Sequence, residues 1–287
     1  MGRPRTSKKL WSALAQALHT QKIEEMMREM LQRSKDAGDD VRAYFLGYLT
    51  HYALDSQAHP YVLHHCYSKK YHMQLESFID VCLMRRDAFD PKAEPTFTLL
   101  GRLSRAQTQK LATVCSALVQ KVYGFSISEK EYAQALGDIR RIFRLFLSRR
   151  QIKKRFLEAI AGRMGLKSQL RALFYAVQHT PDDDFLNLQR VPWALPWDST
   201  QIQDTSFLML MEQARAFAIP CLQAAFAYWN GNGTLEQALS AIGSRSMLTG
   251  QDWRQKLDTQ ACVTQRFFPK NSPGERNEGK YEPWDSF

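Results

Sequence analysis

Two short motifs constrain this chain more than any other part of it: His51-Tyr-Ala-Leu-Asp55-Ser-Gln-Ala-His59 and His72-Met-Gln-Leu-Glu76. His51 and Asp55, Asp55 and His59, and His72 and Glu76 are each four residues apart. On a helix such residues share a face, with Cβ atoms about 5–6 Å apart. Each pair therefore sets an imidazole beside a carboxylate, the arrangement that holds a divalent cation through bonds of about 2.0–2.2 Å. A single pair of this kind is ordinarily a surface ion pair worth a few tenths of a kcal/mol. Here the flanking residues Tyr44, Phe45, Leu46, Tyr48, Leu49, Tyr52, Ala53 and Leu54 make the first helix apolar nearly all round. Such a helix is buried. Carboxylates and imidazoles carried on it need partners, because an unpaired buried charge costs several kcal/mol. Metal ligation between two helices satisfies both motifs at once.

Periodicity and punctuation predict a helical protein. Lys9 to Arg33 reads as one amphipathic helix, with Leu10, Leu14, Leu18, Met26, Met27 and Met30 on its apolar stripe. Ser34 to Asp40 is a polar break, with Asp39 or Asp40 available to cap the next helix. That helix carries the first motif and is expected to end near His59-Pro60, since Pro60 restricts the residue before it. Lys69 to Arg86 carries the second motif. Asp87 to Gly101 reads as a loop. Further helices are expected at Ser104–Tyr123, Ser128–Leu147, Lys153–Val177, Thr205–Trp229 and Thr234–Ile242. Thr180 to Ser199 is a connection rich in Pro and Trp. The fold class is all-α, a single multi-helix domain over residues 1–267, followed by a polar tail from 268 to 287 that reads as disordered.

At the two motifs the chain also resembles a known family. The run from Ala43 through His51, Asp55 and His59 to Val62 is similar to the bacterial zinc-dependent phospholipases C. His72-Met-Gln-Leu-Glu76-Ser-Phe-Ile-Asp80 looks like that family's next block. Weaker similarity continues through Arg190–Asp198, Thr205–Phe207 and Ser244–Gly250. The resemblance implies an all-helical fold of the zinc-dependent phospholipase C type holding up to three zinc ions. It implies that His51 and Asp55 serve one zinc together with the upstream His19, and that His59, His72 and Glu76 hold a second. Asp55 is the expected catalytic residue, and one to two zinc ions are the expected cofactors. The family's N-terminal segment, with a further histidine and a later Gly-Pro-Asp, has no counterpart in Met1–Lys9 or beyond. The expectation is therefore a reading frame that continues upstream of Met1 and weak activity for the chain as it stands.

Composition narrows compartment and partners. The five cysteines, Cys66, Cys82, Cys115, Cys221 and Cys262, form no Cys-x-x-Cys and read as reduced thiols of a cytoplasmic protein. Cys66 is weighed as a stray ligand and read as a small core hydrophobe. No apolar run reaches the roughly 18–20 residues that span a bilayer. The net charge is +10, and Arg140–Arg155 alternates eight basic residues with apolar ones. That stretch suits an anionic membrane surface or a nucleic-acid backbone, while a helix pair with a solvated basic face explains it as well.

Other candidates carry less. Asp182, Asp183 and Asp184 read as a cap or solvated turn, His64 and His65 as a solvated loop pair, and His179 as a helix-end residue. Trp193 and Trp197 either wall a substrate pocket or belong to a loop folded over the core. The expected function is a zinc-dependent hydrolase of phospholipid or other phosphodiester substrates. The alternatives are a zinc-dependent nuclease of related fold, and a non-catalytic protein whose metal staples two helices while the basic stretch docks on a membrane.

Overall fold

A computed structural model describes residues 8–66, 69–89, 103–146, 183–259, 261 and 267. Eight helices and one small hairpin make up the described residues: α1 (Lys8–Thr20), α2 (Ile23–Lys35), α3 (Asp39–His65), α4 (Lys69–Arg86), α5 (Arg105–Tyr123), α6 (Glu129–Phe146), β1 (Trp193–Leu195), β2 (Asp198–Gln203), α7 (Phe207–Trp229) and α8 (Leu235–Ile242). The all-α expectation holds. The Pro/Trp-rich connection contributes the antiparallel hairpin, in which Trp193 pairs with Gln203 and Ala194 with Ile202.

The single helix expected from Lys9 to Arg33 is two. The chain turns at Gln21–Lys22, where Lys22 adopts φ 47 in the left-handed region. Its ammonium donates to Val122 O at 2.8 Å, and Tyr123 Oη donates to Gln21 O at 3.0 Å. Tertiary contacts from α5 thus stabilise a break that periodicity does not mark. Helix α2 then buries Ile23, Met26, Met27, Met30 and Leu31.

Helix α3 is the axis of the molecule. Val41, Phe45, Leu49, Tyr52, Ser56, His59 and Leu63 are buried at steps of three and four residues. Its N-cap is Gly38 at φ 87, a conformation glycine adopts without a Cβ penalty, so neither Asp39 nor Asp40 caps it. Both aspartates lie in the first turn, where negative charge complements the helix dipole. The expected end at His59-Pro60 is also corrected. The helix runs through Pro60 to His65, and His64 and His65 are buried rather than in a solvated loop. Aromatic packing explains the continuation: Tyr61 meets Trp193 and Phe207 edge-on, His64 packs against Trp193, and His65 packs against Tyr61 and Phe267.

Two cores meet along α3. One joins α1, α2, the first half of α3, α5, the second half of α7, and α8. The other joins the end of α3 to Tyr71, Leu75, Phe78 and Ile79 of α4, Phe185 and Leu186, Trp193, and the start of α7. Helices α5 and α8 start at the expected places, with capping boxes from Ser104 with Gln107 and Thr234 with Gln237. Cys66 lies in the second core with its thiol donating to Val62 O, as expected for a core residue. Of the basic stretch Arg140–Arg155, the chain as far as Phe146 belongs to α6, while 147–155 lie outside the described residues. The helix expected at Lys153–Val177, His179, Asp182 and the tail 268–287 lie outside them too.

Candidate metal centre

The stretch of α3 where the two cores meet carries His51, Asp55 and His59 on one face. Helix α1 delivers His19 from its last turn, and α4 delivers His72 and Glu76 from its first two turns. Two triads result. His19, His51 and Asp55 each offer one ligand atom within 4.8 Å of the other two, and His59, His72 and Glu76 do the same. In the first, Asp55 Oδ2 lies 3.2 Å from His51 Nε2 and 3.7 Å from His19 Nε2. In the second, Glu76 Oε1 lies 3.0 Å from His72 Nε2 and 3.4 Å from His59 Nε2. Metal–ligand bonds of about 2.0–2.2 Å in a tetrahedron separate donors by about 3.3–3.6 Å. The donor types and their spacing fit zinc.

Asp55 also lies 3.7 Å from His59 Nδ1, so its carboxylate stands between the triads. All six residues named from the sequence are therefore drawn into one continuous cluster. Each triad offers two imidazoles and a carboxylate, the set that leaves a fourth position for water or substrate in hydrolytic zinc sites.

The geometry also fixes which ring nitrogen faces each cluster. His19 Nδ1 donates to Ala15 O at 2.6 Å, and His59 Nδ1 donates to Met247 O at 2.8 Å. Both contacts leave Nε2 turned toward a carboxylate, the pattern by which a backbone carbonyl sets the tautomer of a ligating histidine. Tyr48 supports the first triad: its hydroxyl donates to Leu18 O at 3.1 Å and its ring meets that of His51 edge-on. The Met247 and Tyr48 contacts do not follow from the motif spacings. The only sequence signal for Met247 is the weak similarity over Ser244–Gly250.

The two triads differ electrostatically. Burial pushes the His19 imidazole below its ordinary 6.5, outweighing the opposing pull of the Ala15 carbonyl and Asp55. Burial pushes His59 down as well, but its hydrogen bond to Glu76 and the charges of Asp55 and Glu76 raise it to about 9. Burial works against the charged form of Glu76, yet His72 and His59 together hold it well below the usual carboxylate range. One turn further along α4, burial and the neighbouring Glu76 raise Asp80 to about 6. Burial thus favours the neutral imidazole at His19, whereas the neighbouring carboxylates favour the protonated one at His59.

Asp184 accepts backbone N–H bonds from Leu188 and Gln189, as a turn carboxylate does. Trp193 is buried and donates to Thr205 O. Trp193 packs in the second core, and both tryptophans line a cavity of about 580 Å³ with Ser56, Gln57, Pro60 and Arg245. None of the six candidate ligands lines that cavity.

No helix among the described residues is long and apolar enough to cross a membrane. No curated protein and no solved structure matches the chain. A family model described as zinc dependent phospholipase C matches residues 5–130. That stretch, which holds both triads, is thus similar to the zinc-dependent phospholipases C.

Proposed function

We propose that the protein is a zinc-dependent phosphodiester hydrolase of the phospholipase C type, acting on a phospholipid. The observation that carries this reading is the pair of triads linked through Asp55. His19, His51 and Asp55 hold one zinc, and His59, His72 and Glu76 hold a second. Zinc supplies a Lewis acid for phosphoryl oxygens and a water whose pKa falls toward about 7. The chain's own part is positioning. The Ala15 and Met247 carbonyls keep His19 and His59 with Nε2 inward, and Asp55 stands where it reaches both halves of the centre. Asp55 is the catalytic residue of this reading, the carboxylate that would help hold the zinc and accept a hydrogen bond from its water. The net charge of +10 favours an anionic substrate.

The test is direct. The purified protein contains one to two equivalents of zinc, by metal analysis, and hydrolyses short-chain phosphatidylcholine faster than single-stranded DNA. A chelator abolishes the activity and added zinc restores it. Chelator-sensitive DNA cleavage without phospholipid turnover replaces this reading with the nuclease one. Full zinc loading with neither activity replaces it with the non-catalytic one.

A further inference from the structure

Two candidate ligands, one from each triad, are tied to the same residue of a distant segment. Met247 N donates to His19 O at 2.8 Å, and Met247 O accepts from His59 Nδ1 at 2.8 Å. The surrounding turn is closed by its own bonds. Ser244 Oγ donates to Asp252 at 2.5 Å, Ser246 N to Gln251 O at 2.7 Å, and Gly250 N to Ser246 O at 2.8 Å. Arg245 N donates to the Tyr52 hydroxyl on α3 at 3.0 Å.

The turn docks on α3 where the helix has a carbonyl to spare. Pro60 has no N–H, so Ser56 O, four residues earlier, lacks its helical donor. Gly250 fills that place. Its φ is +70, and a Cβ there would stand 2.2 Å from Ser56 O. The Cα hydrogen in that position points at the carbonyl, a weak but recurrent contact. Any larger residue pushes the turn away from α3, and Met247 with it. The proline that fails to end α3 and the glycine of the turn are two halves of one contact.

We propose that residues 244–252 are a clasp that orients His59 toward the second triad and ties it to the helix end carrying His19, with Gly250 the positioning residue that lets the clasp close. The metal-binding part of this inference rests on His59 being a ligand; the orientation of the ring does not.

The test separates the two. Long-range proton–nitrogen NMR of the metal-free protein, recorded where the His59 nitrogen shifts no longer change with pH, reports which ring nitrogen carries the proton. The wild type shows His59 protonated at Nδ1, and Gly250→Ala shows a mixture. Zinc titrations in a His51→Ala background isolate the second triad, where Gly250→Ala weakens binding by about 10–100-fold. In a Glu76→Ala background, the first triad changes by less than about threefold, since His19 keeps its Ala15 contact. Ser244→Ala, which opens the base of the turn without touching Ser56, gives the same shifts in smaller measure and serves if Gly250→Ala does not fold. A folded Gly250→Ala, or failing that Ser244→Ala, with unchanged tautomer and zinc affinity overturns the clasp. A wild type that binds no zinc yet loses the Nδ1 tautomer on substitution overturns the ligand assignment and leaves the clasp standing.

Discussion

Asp55 concentrates more of the proposed chemistry than any other side chain, because one carboxylate oxygen faces imidazoles of both triads. Asp55→Asn keeps the shape and removes the charge. The expected result is loss of about one zinc equivalent and a fall in turnover of about 10²–10⁴-fold, with the His59 triad still partly loaded. Metal analysis and kinetics on the same preparation check it, and unchanged zinc content refutes the shared role. The histidines add a pH dependence with a definite sign. His59, raised to about 9, contributes stability to the metal-free protein that is complete below its ordinary 6.5 and lost as pH rises through 9. Glu76, depressed below its ordinary 4.5, contributes stability that is present above 4.5 and lost as pH falls through its depressed value. Both contributions are whole only between 4.5 and 6.5. The melting temperature of the metal-free protein therefore declines from pH 6.5 toward 9. Zinc reverses the trend, since ligands bind metal deprotonated, and affinity at the second triad climbs about tenfold per pH unit up to about 9. Calorimetric scans with and without zinc check both slopes. At this scale the sequence was most legible: spacing by fours named five of the six residues, and the family resemblance alone added His19. The ring nitrogen each histidine presents was not legible, because it depends on Ala15 and on Met247, the latter 188 positions from His59.

Helix α3 keeps its core residues and its candidate ligands on adjacent stripes. Val41, Phe45, Leu49 and Tyr52 point into the first core, while His51, half-exposed, points at the centre. Leu49→Ala should cost about 2–5 kcal/mol in chemical denaturation, as a fully buried leucine does. His51→Ala should cost the metal-free protein under about 0.5 kcal/mol, the usual range for a partly exposed side chain, while lowering zinc content. Equal destabilisation by the two changes counts against the separation. Where the elements departed from expectation, tertiary contact overrode a local signal. The break at Lys22 is held by bonds to α5, and α3 survives Pro60 because the Tyr61–Trp193–Phe207 cluster holds its last turns and Gly250 meets the released carbonyl. Both partners lie far away in sequence, so no window around Lys22 or Pro60 contains the cause. Capping boxes, by contrast, are local, and α5 and α8 begin where Ser104 and Thr234 say they should.

Across the whole molecule, the centre joins parts that packing alone joins unequally. Helices α3 and α7 share long buried faces in both cores, whereas α1 and α4 approach α3 at the ends that carry ligands. In α1 only Leu14 and Ala17 are fully buried apolar residues. Binding zinc to the native state at a hundredfold excess over Kd stabilises by about 2.7 kcal/mol per site. That free energy is felt first by the elements the ligands connect. Chelation should therefore lower the melting temperature by several degrees and, below that temperature, raise amide exchange selectively in the last turn of α1, in α4 and in residues 244–252. The buried turns of α5 and the second half of α7 should keep their protection, because their contacts are apolar and make no use of the six ligands. Exchange mass spectrometry with and without chelator checks the pattern. Uniform loss of protection across all helices would mean that the metal holds the fold as a whole, and no change anywhere would mean that the triads bind nothing that matters to it.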